Sequence, residues 1–256
     1  MKVLIILKRN KVKNTLRVII GLIIVGLIAA MINYGSIGVF TKGKKLPIYC
    51  VDTNEKKIAI SFDASWGANN TIKILDILDK YDVKATFFLV GRWVDEFPEE
   101  TKEIYKRGHE IGNHSNSHPD MTTLSDDRIV KEIAATDAKL MQLIGTDTKL
   151  FRFPSGSYDD RSIQAIENTN HRCIQWDVDS IDWKEQGAEK EYGRVMKKVK
   201  NGSIVLFHNA AKYTPENLPK IIEKLKSEGY QFVKISDLIY KENYHIEHTG
   251  KQILNN

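Results

Sequence analysis

Residues 58–90 read IAISFDASWGANNTIKILDILDKYDVKATFFLV, and three patterns follow one another within them. Ile58–Phe62 and Ala85–Val90 are short runs rich in the branched and aromatic residues that strands favour. Between them, Thr71–Tyr81 places Ile74, Ile77, Leu78 and Tyr81 at i, i+3, i+4 and i+7, the apolar face of a helix. Strand, helix and strand in so short a span predict parallel pairing.

The same alternation continues outward. Further strand-like runs lie at His109–Gly112, Leu150–Phe153, Arg172–Trp176, Ser203–Phe207 and Gln231–Lys234. Helical stretches separate them. Pro98–Lys106 stops at Arg107 and Gly108, and Glu216–Glu228 closes at Gly229. Another helix starts after Ser125, with Asp126 and Asp127 in its first turn, and runs to Ile144 before Gly145. Seven strands alternating with helices predict an α/β architecture, as an open sheet or a barrel. Residues 57–240 form this domain, 41–56 read as a linker and 241–256 as a polar tail.

Charge is distributed unevenly. Of the 256 residues, 38 are Lys or Arg and 33 are Asp or Glu, a formal balance of +5. Six of the basic residues lie in residues 1–17, which hold no acid, so the rest of the chain carries 32 basic and 33 acidic groups. A charge confined to one arm is no basic face, which excludes nucleic acid as a partner of the folded part. Residues 18–40 contain no charged side chain and suffice in length for a transmembrane helix. The flanking basic arm predicts a cytoplasmic N-terminus, a single-pass anchor and an extracytoplasmic domain, with a cleaved signal peptide as the competing reading. Only two cysteines occur, Cys50 and Cys173, and their pairing stays open. Nothing in the sequence sets the oligomeric state.

Polar residues gather where strands end. Asp63 follows the first strand, His114 and His118 the third, and Arg152 lies at the fourth. Asp177, Asp179, Asp182 and Trp183 follow the fifth, and His208 ends the sixth. In parallel β/α folds these ends share one rim, where catalytic groups collect. Each residue also has a plain structural explanation: Asp63, Asp177 and Asp182 as loop caps, Arg152 as an ion-pair partner, and His208 as a satisfied histidine. His114 and His118, four apart, form a pattern that arises often by chance. Trp66, Trp93 and Trp176 read as packing residues, whereas Trp183 reads as a wall for a sugar ring.

Five segments in order, Ser-Phe-Asp-Ala (61–64), His-Ser-Asn-Ser-His (114–118), Arg-Phe-Pro-Ser-Gly (152–156), Asp-Ser-Ile-Asp-Trp (179–183) and Leu-Phe-His (206–208), resemble the motifs of polysaccharide deacetylases. This family is also called the NodB-homology domain or carbohydrate esterase family 4. The opening Ser-Phe-Asp-Ala-Ser-Trp-Gly and the N-terminal arrangement look most like its spore-associated PdaB-like branch. The resemblance implies a distorted (β/α)7 barrel, here preceded by a single transmembrane helix. It implies a membrane-anchored hydrolase removing N-acetyl groups from cell-wall glycan, with peptidoglycan as partner. By the same resemblance His114 and His118 bind a divalent metal, usually zinc, and Asp63 is the base. His208 is then the acid, Arg152 holds the base, Asp182 tunes the acid, and Tyr158 lies near the oxyanion.

One departure stands out. The family's metal-binding aspartate follows the base, and that position here is Ala64, whose methyl group cannot coordinate a metal. Two histidines leave the site one protein ligand short of the three usual for catalytic zinc. This predicts that Asp63 shifts to become a ligand, that metal is held weakly, or that the domain binds glycan in a non-catalytic or morphogenetic role. An O-acetyl esterase is the nearer alternative.

Overall fold

The computed structural model describes residues 44–255. The strands are β1 (Cys50–Val51), β2 (Lys57–Ala64), β3 (Thr86–Leu89), β4 (Glu110–Asn113), β5 (Leu150–Phe151), β6 (Arg172–Cys173), β7 (Val178–Asp179), β8 (Ile204–His208), β9 (Gln231–Phe232), β10 (Tyr244–Ile246) and β11 (Lys251–Leu254). The helices are α1 (Thr71–Lys80), α2 (Gly91–Glu96), α3 (Pro98–Lys106), α4 (Asp126–Ile144), α5 (Asp160–Glu167), α6 (Ala188–Lys198), α7 (Thr214–Ser227) and α8 (Ile235–Leu238).

The principal sheet runs β6-β5-β4-β3-β2-β8-β7, with β9 also on β2, and its pairings are parallel. Each of the seven strand-like runs overlaps one of its strands; the eighth, β7, is only two residues long and carries no periodic signal. Strand β2 explains the layering through its period of two. Ile58, Ile60 and Phe62 join the core under the helices, with Ile74 and Leu78 of α1. Ala59, on the other face, packs with Phe88, Leu150 and Ile174 in an inner core.

The expected distorted (β/α)7 barrel is corrected by the edges of this sheet, since β6 and β7 share no ladder. The reason lies in the stretch read as a linker. The Ile48 N–H donates to the carbonyl of Cys173 at 2.9 Å, and the Gln175 N–H donates to the carbonyl of Ile48 at 2.8 Å, so Ile48 occupies the β6 edge. The fold is therefore an α/β domain with a curled, open sheet. Strands β1, β11 and β10 form a separate small sheet from residues read as linker and tail. Cys50 and Cys173 are both free and buried, and burial pushes both thiols up.

Among the described residues, no helix is long and apolar enough to cross a membrane. The expected span 18–40 and the basic arm 1–17 lie outside the described residues. The transmembrane helix, the membrane as a partner and the single-pass placement rest on that span, so no described residue supports them and they are not carried further.

Candidate active site

The parallel register assembles the site. Asp63 is paired with His208 across β2 and β8, and Asn113, just before His114, pairs with Phe151, just before Arg152. The strand ends meet at a pocket of about 370 Å³ bordered by Asp63, His114, His118, His208, Trp66 and Trp183. Ser65, Ser155, Trp176, Asp179 and Leu206 complete its wall.

Asp63 is the most constrained group. Its Oδ1 accepts from Arg152 Nη1 at 2.8 Å, and its Oδ2 lies 3.5 Å from His114 Nε2. Burial alone pushes this carboxyl up, but Arg152, with His114 and His208, holds it below its usual range, so it stays ionised. Arg152 is fully buried, with its guanidinium 4.1 Å from the centre of the Phe88 ring and 5.5 Å from that of Trp176. Arg152 Nη2 donates to the carbonyl of Gln175 at 3.2 Å. Both charges are thus out of water and depend on each other.

The two histidines sit on a tight loop after β4. His114 Nδ1 donates to the carbonyl of Arg152 at 2.8 Å, which fixes the tautomer and leaves Nε2 as the acceptor facing the pocket. Burial lowers the pKa of His114 to about 4 and also lowers that of His118, so both are neutral at pH 7. Ser115 and His118 adopt left-handed backbone conformations, at φ +65° and +60°. Glu132 of α4 supports this strained turn. One of its oxygens accepts from the N–H groups of Asn116 (3.0 Å) and Ser117 (2.8 Å), and the other accepts from Ser117 Oγ at 3.0 Å. Glu132→Ala is expected to cost about 2 kcal/mol, because two backbone donors lose a charged acceptor. Urea unfolding checks the loss, and a smaller loss for Glu132→Gln checks its cause.

These residues meet only part of the family's metal requirement. The two imidazoles have the right tautomer and charge state for ligands, but the third position is the buried methyl of Ala64. Among the described residues, no group of three or more His, Cys, Asp or Glu side chains is arranged to hold a metal ion. Asp63, the nearest substitute, holds Arg152 with Oδ1 and has its Oδ2 3.5 Å from His114 Nε2. His114 and His118 thus border the pocket with no third protein ligand grouped with them among the described residues.

Behind His208, Asp182 is buried and accepts four hydrogen bonds. Its Oδ2 takes the N–H of His208 at 2.7 Å and Thr214 Oγ1 at 2.9 Å, while Oδ1 takes His208 Nδ1 at 2.7 Å and the N–H of Trp183 at 2.8 Å. Ile181 holds this turn at φ +53°, a strained conformation for a β-branched residue. Burial lowers the pKa of His208, but the bond and charge of Asp182 overcome it, and the net shift is upward. His208 therefore keeps its proton longer than a free imidazole, with Nε2 left for the pocket.

Other residues take plainer places. Tyr158 does not border the pocket; its hydroxyl pairs with that of Tyr49 at 2.9 Å. The Asp177 carboxylate accepts from Ser203 Oγ and the N–H of Ile204, which fixes the approach to β8. Sequence reasoning missed Trp66, which lies on the pocket rather than in the core. It follows Asp63 on the same rim, a signal that was available. Glu132 was missed too, although a glutamate on the buried Ile129–Ile133–Leu140 face of an amphipathic helix is itself a flag.

Comparison with known proteins agrees with the motifs. A family model described as polysaccharide deacetylase matches residues 51–174. The chain is 35% identical to a peptidoglycan-N-acetylglucosamine deacetylase of Bacillus cereus, over 74% of this chain and 91% of that protein. It is 32% identical to the peptidoglycan-N-acetylmuramic acid deacetylase PdaA of Bacillus subtilis, over 76% and 75%. Among solved structures, a CE4 family pseudoenzyme from Bacillus anthracis superposes with a TM-score of 0.73 at 39% identity, covering 75% of this chain and 68% of that one. A mutant of a CE4 family pseudoenzyme with restored enzymatic activity gives 0.73 at 40%, covering 75% and 71%. Likeness to pseudoenzymes, together with the missing third donor, overturns the expected membrane-anchored N-deacetylase as the main function.

Proposed function

The chain belongs to the polysaccharide deacetylase family, and from that premise we propose that it binds cell-wall glycan at a deacetylase-type site whose catalysis is weak or absent. The observation that carries this reading is Ala64 standing at the ligand position while the remaining groups keep their partners. Peptidoglycan is the favoured glycan because the named relatives deacetylate it. Asp63, ionised and paired with Arg152, and His208, whose pKa Asp182 raises, place a base and an acid on the adjacent strands β2 and β8. His114 and His118 supply two of the donors that zinc needs and hold it weakly at best. The segment Ser61–Gly67 supports a place beside the spore-associated PdaB-like branch.

The test combines sedimentation with purified peptidoglycan and measurement of released acetate, with zinc supplied. Retention on the glycan with acetate release far below that of a family deacetylase run alongside is the expected result. Release matching that control, or no retention at all, contradicts the proposal.

A further inference from the structure

Trp66 is 50% exposed, although the loop that carries it is fixed. The carbonyl of Gly67, whose φ is +53°, accepts from Trp93 Nε1 at 2.8 Å and from Asn209 Nδ2 at 2.9 Å. Asn209 Nδ2 also donates to Thr71 Oγ1 at 3.0 Å, and the Asn209 N–H donates to the carbonyl of Asp63 at 3.3 Å. A large indole left in water on a rigid support marks a binding surface. One part of it is covered by His208, whose ring stacks on it at 5.2 Å between centroids with the planes 29° apart. Trp66 borders the pocket, as does Trp183, 53% exposed and held between Ile181 and Glu185, both left-handed.

We infer that Trp66 is a stacking platform for one pyranose ring of the glycan, with Trp183 as the second aromatic wall. A pyranose has an apolar face of axial C–H groups, weakly positive, that matches the negative face of an aromatic ring. Its hydroxyls project from the rim, where Asp63, Asp179 and His118 supply polar partners. The pocket lies within the size range of small-ligand sites. Such a platform needs no metal, so it retains the ligand where Ala64 removes metal chemistry. It rests on the glycan-binding reading but assigns the binding to a residue outside the acid, the base and the histidine pair.

The experiment titrates the full chain with the N-acetylglucosamine tetramer and with soluble peptidoglycan fragments, read by tryptophan fluorescence and calorimetry. Trp66→Ala and Trp66→Leu are expected to bind roughly tenfold more weakly, a change of about 1.4 kcal/mol. Trp66→Phe, which keeps a ring, stays close to wild type. Urea unfolding of each variant confirms that it is folded, and the leucine variant separates stacking from simple apolar bulk. Wild-type affinity in both Trp66→Ala and Trp66→Leu overturns the platform while the glycan-binding reading stands. Failure of the wild-type chain to bind either glycan overturns both.

Discussion

Arg152→Met is expected to lower stability by about 3–5 kcal/mol at neutral pH, because it strands a buried carboxylate. Asp63 keeps its charge out of water through the 2.8 Å bond and charge of Arg152, with His208 adding to it. Methionine fills much of the same volume, so packing against Phe88 and Trp176 survives and the lost charge dominates. Asp63 then takes up a proton at a higher pH than in the wild type. In the wild type, the depressed Asp63 contributes stability that is present above the ordinary aspartate value and lost as pH falls through the native one. Urea unfolding from about pH 2 to pH 8 reads both effects. Adding Asp63→Asn to Arg152→Met should recover part of the loss, since the stranded charge is gone. A cost under about 1 kcal/mol for Arg152→Met would show that the pair is not desolvated as described.

Asp182→Asn is expected to cost about 3 kcal/mol and to remove the upward shift of His208. One carboxylate accepts all four donors there, and an amide that presents N–H groups on one side cannot. The pH dependence has a definite sign. Because the native pKa of His208 is raised, its stabilisation is full below the unfolded value of about 6.5 and fades as pH rises through the native one. In Asp182→Asn only the charges of Asp63 and Asp179 still oppose burial, so the imidazole loses its proton earlier and that dependence weakens. Proton NMR of the His208 ring against pH reports the shift directly. An unchanged titration would mean that Asp182 serves only to cap the turn.

The repeating part of the fold was legible because it is periodic. Alternation along β2 and the apolar stripe of α1 report burial on known faces, and such patterns survive any tertiary detail. Sheet closure was not legible. It depends on whether the ends of two-residue strands meet, and Ile48, from a stretch without periodicity, takes the edge that a barrel would need. The site was readable where rim position and residue type coincide, as at Asp63, His114, Arg152 and His208. Trp66 was misread because an aromatic residue after a strand is usually core, and only the pinned Gly67 loop shows that it stands outside. Glu132 reaches the histidine loop from a helix 14 residues beyond His118, a contact made by packing and not by local spacing. Ala64 was readable as a loss only against the motif it interrupts.

Calorimetric titration with zinc of the full chain and of its Ala64→Asp variant tests most directly whether this is a deacetylase site short of one ligand. Residue 64 ends β2 at the position where the family motif carries its metal-binding aspartate, so Ala64→Asp restores the carboxylate that the motif calls for. The expected result is one zinc per chain in the variant, bound at least about a hundredfold more tightly than in the wild type, since a direct ligand outweighs the 10–100-fold effect of an outer partner. Wild-type chain that already binds one zinc as tightly as a correctly folded Ala64→Asp variant would contradict it.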